Sequence, residues 1–114
     1  MIDSVAKNKI DSFLASIGSI EPTMFDLGTP QLDLTEEMKE IIGIGSKIVP
    51  YLLKRMQSAS PKEVAYLVFM LRHLDDLRTM EPLRKLKKHY ETIERKTEWD
   101  FAVIGQCNMV IDRR

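Results

Sequence analysis

The stretch from Ser60 to Leu74, SPKEVAYLVFMLRHL, decides which class of fold this chain adopts. Its first four residues form a helix start: Ser60 can accept a hydrogen bond from the backbone of Glu63, whose side chain can reach back, and Pro61 suits the first helical position. Without this start, the apolar run that follows would resemble a buried strand. With it, and with Leu74 continuing the pattern, the stretch predicts a helix that is apolar on nearly all sides and is the most buried element.

Helix signals also occur on both sides of this stretch. Apolar residues near the N-terminus recur at helical spacing until Gly18, which predicts a helix over residues 1–18. Thr35 and Thr97 are each placed to cap a later helix, and Pro50 and Pro82 each fall early in another. No segment shows sustained alternation of apolar and polar residues. The prediction is therefore an all-α fold of about six helices.

Two of these helix starts are predicted from the residues just before them. Ser46 is placed to cap the helix that contains Pro50, and either Arg78 or Thr79 to begin the helix that contains Pro82. The segment 19–34 lacks a clear period and is predicted to be a loop.

The composition restricts the class of protein. The 114 residues are 44% apolar and 30% charged, with five glycines and five prolines, which excludes a disordered chain, a collagen-like fibre and a disulfide scaffold. We expect one domain over residues 1–114. The longest apolar run has eight residues, far short of a membrane span, and the N-terminus lacks the apolar region of a signal peptide. Together with the single cysteine, Cys107, these features predict a cytoplasmic protein.

The charge of the chain changes along its length although the net charge is zero. Residues 1–45 contain eight acidic and three basic residues, whereas residues 78–96 contain seven basic and three acidic ones. A neutral chain has no overall field that would attract nucleic acid or an anionic membrane. A local basic segment nevertheless leaves binding to an anionic partner open.

Two predicted helix pairs look alike, because Pro50 and Pro82 lie 32 residues apart and each is followed by a second helix. The segment from Met38 to Leu53 resembles the HEAT-repeat pattern, in which a helix ends in an apolar-glycine step and the next begins with valine, proline and leucines. The resemblance covers about residues 36–112. It implies antiparallel helix pairs over residues 35–114, stacked in a short solenoid that binds partners on a concave face. A compact helical bundle is the alternative.

The residues that could carry catalysis or bind a metal are not arranged for either. The segment GIGSK at residues 43–47 lacks the spacing of a phosphate-binding loop. His73 with its neighbouring aspartates does not supply three converging metal ligands, and His89 lies on a solvated helix face. Cys107 lies among apolar residues, which indicates a buried thiol rather than a nucleophile. We therefore predict no catalytic residue, no metal and no cofactor.

Four basic residues, Arg84, Lys85, Lys87 and Lys88, lie close together on the helix that follows Pro82. The apolar residues of that helix point inward, which places the four bases on its outer face. Aromatic residues for stacking on nucleotide bases are not interleaved with them. The face is either simply solvated or complementary to an acidic partner.

The function predicted from these observations is a small protein-protein interaction module, whose partner is another protein or a second copy of the chain. The final predicted helix supports this, because its apolar residues cover more than one face. Sequence-independent binding of nucleic acid through residues 84–88 is the first alternative, and an enzyme with an unrecognised active site is the second. The predicted partner-binding residues are Trp99, Tyr66, Phe25, Arg84, Lys85 and Lys88.

Overall fold

The computed structural model describes residues 3–20, 23–24 and 30–112, and this part of the chain contains six α-helices. They are α1 (Ser4–Ser16), α2 (Glu36–Gly43), α3 (Val49–Met56), α4 (Pro61–Leu74), α5 (Met80–Glu91) and α6 (Glu98–Ile111). Short 3₁₀ turns extend α1 and lead into α3 and α5. The all-α prediction is confirmed.

Three of the four helix starts predicted from capping residues form as expected. The Thr35 side chain accepts a hydrogen bond from the backbone of Met38 at the start of α2. Ser60 and Glu63 form a complete capping box at α4, and Thr97 and Asp100 form another at α6. These local bonds satisfy backbone N–H groups that the first turn of a helix leaves without partners, so the sequence alone determines where these helices begin.

The start of α3 differs from the prediction. Ser46 does not cap α3: it begins a 3₁₀ turn that follows Gly45, whose positive φ of 98° is a conformation that glycine adopts without strain. This tight turn moves the start of α3 further along the chain. At α5 the predicted residue Thr79 occupies the N-cap position and the helix begins at Met80, after a 3₁₀ turn that Asp76 caps by accepting a hydrogen bond from the backbone of Arg78.

The N-terminal segment also differs in detail from its prediction. The helix runs from Ser4 to Ser16 and is capped by Asp3, which accepts a hydrogen bond from the backbone of Ala6. Within the predicted loop 19–34, Thr23–Met24 (β1) pairs antiparallel with Pro30–Gln31 (β2). Two-residue strands are too short to show an alternating pattern, which is why the sequence did not predict them.

Consecutive helices pack against each other in pairs: α1 with α2, α3 with α4, and α5 with α6. Helix α4 lies at the centre because it contacts α2, α3 and α6. Eight consecutive residues of α4, from Val64 to Leu71, are buried, which confirms that it is the most buried helix. The Cα radius of gyration is 13.4 Å, close to the roughly 13 Å of a compact domain of this length. The resemblance to HEAT repeats stays a prediction.

Polar contacts join α1 to α3. The Tyr51 hydroxyl donates a hydrogen bond to the Asp11 carboxylate, and Nε of Arg55 lies 3.7 Å from the same carboxylate. Burial, together with the hydrogen bond to Asp11, raises the pKa of Tyr51 above its usual value. These contacts hold α3 against the N-terminal helix and so position one side of the concave surface described next.

Candidate functional site

A groove of about 620 Å³ lies between α3 and α5. We call it the α3–α5 groove. Its residues are spaced by three or four positions on each helix, so each set lies on one helix face. They are Leu53, Met56 and Gln57 on the α3 side and Glu81, Pro82, Lys85 and Leu86 on the α5 side.

The floor of the α3–α5 groove is apolar. Leu53 and Leu86 are half-buried and Met56 is 9% exposed, so their side chains pack against the core while part of their surface faces the groove. A methionine in such a floor can adapt its shape to different contacts because its side chain is unbranched and polarisable. The floor therefore offers apolar contacts to an incoming side chain.

The edge of the α3–α5 groove is positively charged. Lys85 lines this edge, is exposed, and forms no ion pair with another residue in the described ranges. Glu81 is also at the edge, but its carboxylate lies 3.6 Å from the guanidinium of Arg84. Because Arg84 balances Glu81, the remaining charge at this edge is that of Lys85.

The predicted basic face on α5 is present. Arg84, Lys85 and Lys88 are exposed, and Lys87 is half-buried. All four line a second depression of about 360 Å³, together with Glu81, Glu91 and Ile111 of α6. The three predicted basic residues therefore share one surface, and Lys85 belongs to both this depression and the α3–α5 groove.

Tyr66 was predicted to contact a partner, and the structure corrects this prediction. Its side chain is 1% exposed and lies in the core, with its ring centroid 6.0 Å from that of Phe13 and 5.9 Å from that of Trp99. Burial raises the pKa of Tyr66 above its usual value. A side chain in this position stabilises the fold and does not reach a partner.

Trp99 is half-buried and lies away from the basic face. The Nζ atom of Lys62 lies 5.4 Å from its ring centroid and also donates a hydrogen bond to the backbone oxygen of Ile20. Trp99 is near the start of α6, whereas Ile111, at the other end, lines the basic depression; twelve residues of helix separate the two by about 18 Å. The predicted aromatic and basic residues therefore do not form one surface. Phe25, the remaining predicted residue, lies outside the described residues.

The titratable residues that were considered for catalysis are dispersed. Cys107 is fully buried, and this burial raises the pKa of its thiol to about 12, so the reactive thiolate is scarce at neutral pH. His73 packs edge-on against Phe69, with ring centroids 4.9 Å apart, and His89 packs similarly against Tyr90. Neither histidine lines the two depressions described above, and the described residues contain no group of three potential metal ligands.

Helix α6 carries an exposed stripe on the side opposite its buried residues. Phe101 is 54% exposed and Met109 is 49% exposed, and Gly105 lies midway between them with nothing within 4 Å of the position a Cβ would take. Exposed Glu98 and Asp112 lie on the same face at the two ends. We call these five residues the α6 ridge. Nη1 of Arg72, on α4, lies 3.2 Å from the Met109 sulfur.

Sequence reasoning did not identify the groove as a site. It placed the apolar residues of the helix after Pro82, Leu86 among them, on the inward face, but the helical period does not say how completely an inward residue is covered. That depends on the distance between α3 and α5, two helices that are separated in the chain by α4. The available signal was Lys85, which the sequence did single out and which lies at the edge of the groove.

Comparisons with models of known protein families, with curated proteins and with solved structures found no match for this chain. None of the helices in the described ranges combines the length and apolar character needed to cross a bilayer. The function of this chain is therefore inferred from the surfaces of the molecule itself.

Proposed function

We propose that this chain is a small helical protein-protein interaction module without catalytic activity, working in the cytoplasm. The observation that carries the proposal is the α3–α5 groove, which joins an apolar floor to one lysine, Lys85, that has no ion-pair partner among the described residues. In protein interfaces most of the binding energy comes from apolar groups that lose contact with water, while surrounding charges select the partner. The groove has both features.

The chemistry of the reactive side chains supports the absence of catalysis. A nucleophile needs a lowered pKa or a neighbouring base, whereas the pKa of Cys107 is raised and its strongest environmental influence is burial. The resemblance to HEAT repeats also supports an interaction role, because such helix pairs bind partners on their concave faces.

The proposal is tested by affinity capture with variants of the groove. Immobilised wild-type protein is incubated with lysate of the source cells, in parallel with Leu53→Asp in the groove floor and with Val5→Asp on α1. Val5 is 66% exposed and serves as the matched control. We expect that proteins captured by the wild type are also captured by Val5→Asp but not by Leu53→Asp. Retention by Leu53→Asp at wild-type levels, with its helical circular dichroism intact, would argue against the groove.

Nucleic-acid binding is the second candidate function, and the basic depression on α5 favours it. Arg84, Lys85, Lys87 and Lys88 all line this depression, and each contact with a phosphate would make binding more sensitive to salt. Glu91 lines the same depression and would repel phosphates, and Glu81 there already pairs with Arg84, one of the four bases. The α3–α5 groove, with its apolar floor, therefore supports protein binding better.

Fluorescence anisotropy with duplex DNA and single-stranded RNA distinguishes the two functions. If nucleic acid is the ligand, affinity falls steeply with added salt and is lost when Lys85→Glu is combined with Lys88→Glu. Leu53→Asp would leave that affinity unchanged, because it removes no positive charge. Under the protein-binding proposal we expect no salt-sensitive binding of either probe.

A further inference from the structure

We infer that one segment of another protein, acidic and partly apolar, binds across both the α3–α5 groove and the basic depression on α5. Its apolar side chains enter the groove, and its carboxylates meet the lysines of the depression. This inference rests on the proposed function, because it states the chemistry of the partner that the same groove binds.

The groove and the basic depression lie on the two sides of one ridge of α5. Glu81 and Lys85 line both of them, and because they are four positions apart their side chains lie on the same face of the helix. Pro82 and Leu86, which each follow one of these residues, line the groove on one side of the ridge. Lys88 lines the depression on the other side. A segment that crosses the ridge therefore contacts both surfaces at once.

The two surfaces differ in chemistry. The groove has an apolar floor of Leu53, Met56 and Leu86, and its lining contains one lysine, Lys85. The depression is lined by four basic residues and by a single apolar residue, the half-buried Ile111. Apolar side chains of a partner are therefore favoured on one side of the ridge, and anionic groups are favoured on the other.

The positive charge of the basic depression is not balanced within its lining. Glu81 pairs with Arg84 at 3.6 Å, which leaves Glu91 as the remaining carboxylate. The lining also contains three lysines that form no ion pair with another described residue: Lys85, Lys87 and Lys88. Three positive charges against one negative charge leave an excess of two positive charges. An acidic segment complements this excess, which favours its approach and its orientation.

A polypeptide segment suits both surfaces, whereas a nucleic acid suits the basic one alone. A polypeptide can carry apolar side chains and carboxylates within a few residues of each other, so a short segment presents both kinds of group across the ridge. Nucleotide bases bind chiefly by stacking on aromatic side chains, and the groove lining contains none among the described residues. The groove therefore selects a protein segment.

Selection from a library of random displayed peptides tests the inference without assuming the sequence of the partner. The lining residues of α5 from Glu81 to Glu91 span about 15 Å of helix, and a helical peptide of about 12 residues is long enough to cover them. The immobilised wild-type protein is the bait. We expect the enriched sequences to combine apolar residues with aspartate or glutamate.

Fluorescence anisotropy with the most enriched peptide shows whether one ligand contacts both surfaces. Leu53 lines the groove and not the depression, whereas Lys88 lines the depression and not the groove. At low salt, Leu53→Asp and Lys88→Glu should each weaken binding by about tenfold, because the first removes an apolar contact and the second turns an attraction into a repulsion.

Two further variants control this measurement. Lys7→Glu on α1 makes the same change in net charge at an exposed lysine that lines neither surface, so it should bind the peptide like the wild type. Gln57→Glu is the second groove variant: Gln57 is exposed, so the change leaves the core intact, and the added carboxylate should repel the acidic peptide. It takes the place of Leu53→Asp if that variant loses its helical circular dichroism.

The outcomes separate this inference from the proposed function. Enriched peptides without acidic residues, or binding that Lys88→Glu leaves unchanged, would overturn the inference and leave the groove as a protein-binding surface. A selection that enriches no sequence, or binding that the groove and depression variants all leave unchanged, would overturn both. Sedimentation equilibrium of the wild type alone tests the other occupant, because self-association that Lys88→Glu abolishes would identify a second copy and overturn the inference.

Discussion

Helices α4 and α6 are alike in sequence and different in surroundings. Each has 14 residues, begins with a capping box and is mostly apolar. Helix α4 is covered by α2, α3 and α6, and eight of its consecutive residues are buried. Helix α6 packs on α4, α5 and β2, and leaves Phe101 and Met109 exposed. The comparison shows that apolar composition alone does not determine burial. Both helices contact three elements, so what differs is how much of each helix surface those elements cover.

The largest expected effect is the loss of a buried side chain from α4. Leu67 is fully buried, so Leu67→Ala should lower the free energy of unfolding by about 3–5 kcal/mol through lost contacts and the remaining cavity. The matched change on α6, Phe101→Ala, should alter it by less than about 0.5 kcal/mol. Urea unfolding followed by circular dichroism in dilute solution measures both. Equal losses would contradict the exposure of Phe101 on α6.

The capping boxes at the starts of α4 and α6 allow the same two helices to be compared in a second way. We expect Ser60→Ala and Thr97→Ala each to cost about 1 kcal/mol of unfolding free energy. The loss should be larger at Thr97, where the carboxylate of Asp100 accepts hydrogen bonds from the hydroxyl and from the backbone. Because Asp100 is only 5% exposed, water cannot easily replace the lost hydroxyl.

The same unfolding measurement tests the ranking of the two caps. Glu63 is the corresponding carboxylate at α4 and is less buried than Asp100, so water can replace the partner that it loses. Ser60→Thr and Thr97→Ser keep the hydroxyl and serve as controls. A larger loss at Ser60 would show that the surroundings of the carboxylate do not set the cost.

The 3₁₀ turn between α4 and α5 should make stability depend on pH. Hydrogen bonds from the Arg78 side chain and backbone lower the pKa of Asp76 from its ordinary value of 3.8 to about 2. Because the folded-state pKa is below the unfolded one, this contribution is present above about pH 4 and is lost as the pH falls towards 2. Asp76→Asn should lower the free energy of unfolding above pH 4 by about 1 kcal/mol, a small value because Arg78 is exposed to water. This difference from the wild type should disappear as the pH falls to about 2. A difference that stays constant with pH would contradict this assignment.

The smallest expected effect is an increase in stability on the exposed side of α6. Gly105→Ala should raise the free energy of unfolding by about 0.5–1 kcal/mol, because alanine favours the helix and the space around the Cβ is open. The opposite change on α4, Ala65→Gly, should lower the free energy of unfolding by more than about 1 kcal/mol, because this change also removes a buried methyl group.

Thermal unfolding in dilute solution measures both changes. Destabilisation by Gly105→Ala in dilute solution would mean that the position is not open.

Sequence patterns predicted the parts of the fold that depend on neighbours in the chain. The caps at Thr35, Ser60 and Thr97 involve residues three positions apart, so they form wherever the helix forms. The buried Cys107 followed from its apolar neighbours on one helix. The start of α3 was predicted incorrectly, because a 3₁₀ turn and an α-helix begin with similar residues and differ only in how tightly the backbone winds.

Local sequence was sufficient to specify the set of helices, the capped starts of α2, α4 and α6, and the basic face of α5. Only the packing of the helices places Tyr66 in the core, separates Trp99 from the basic face and opens a groove between α3 and α5. A helix that is apolar on every side carries no period that identifies its outer face, so its surroundings cannot be deduced from it. A groove between helices that are not adjacent in the chain depends on how far apart packing holds them, and local sequence does not encode that distance.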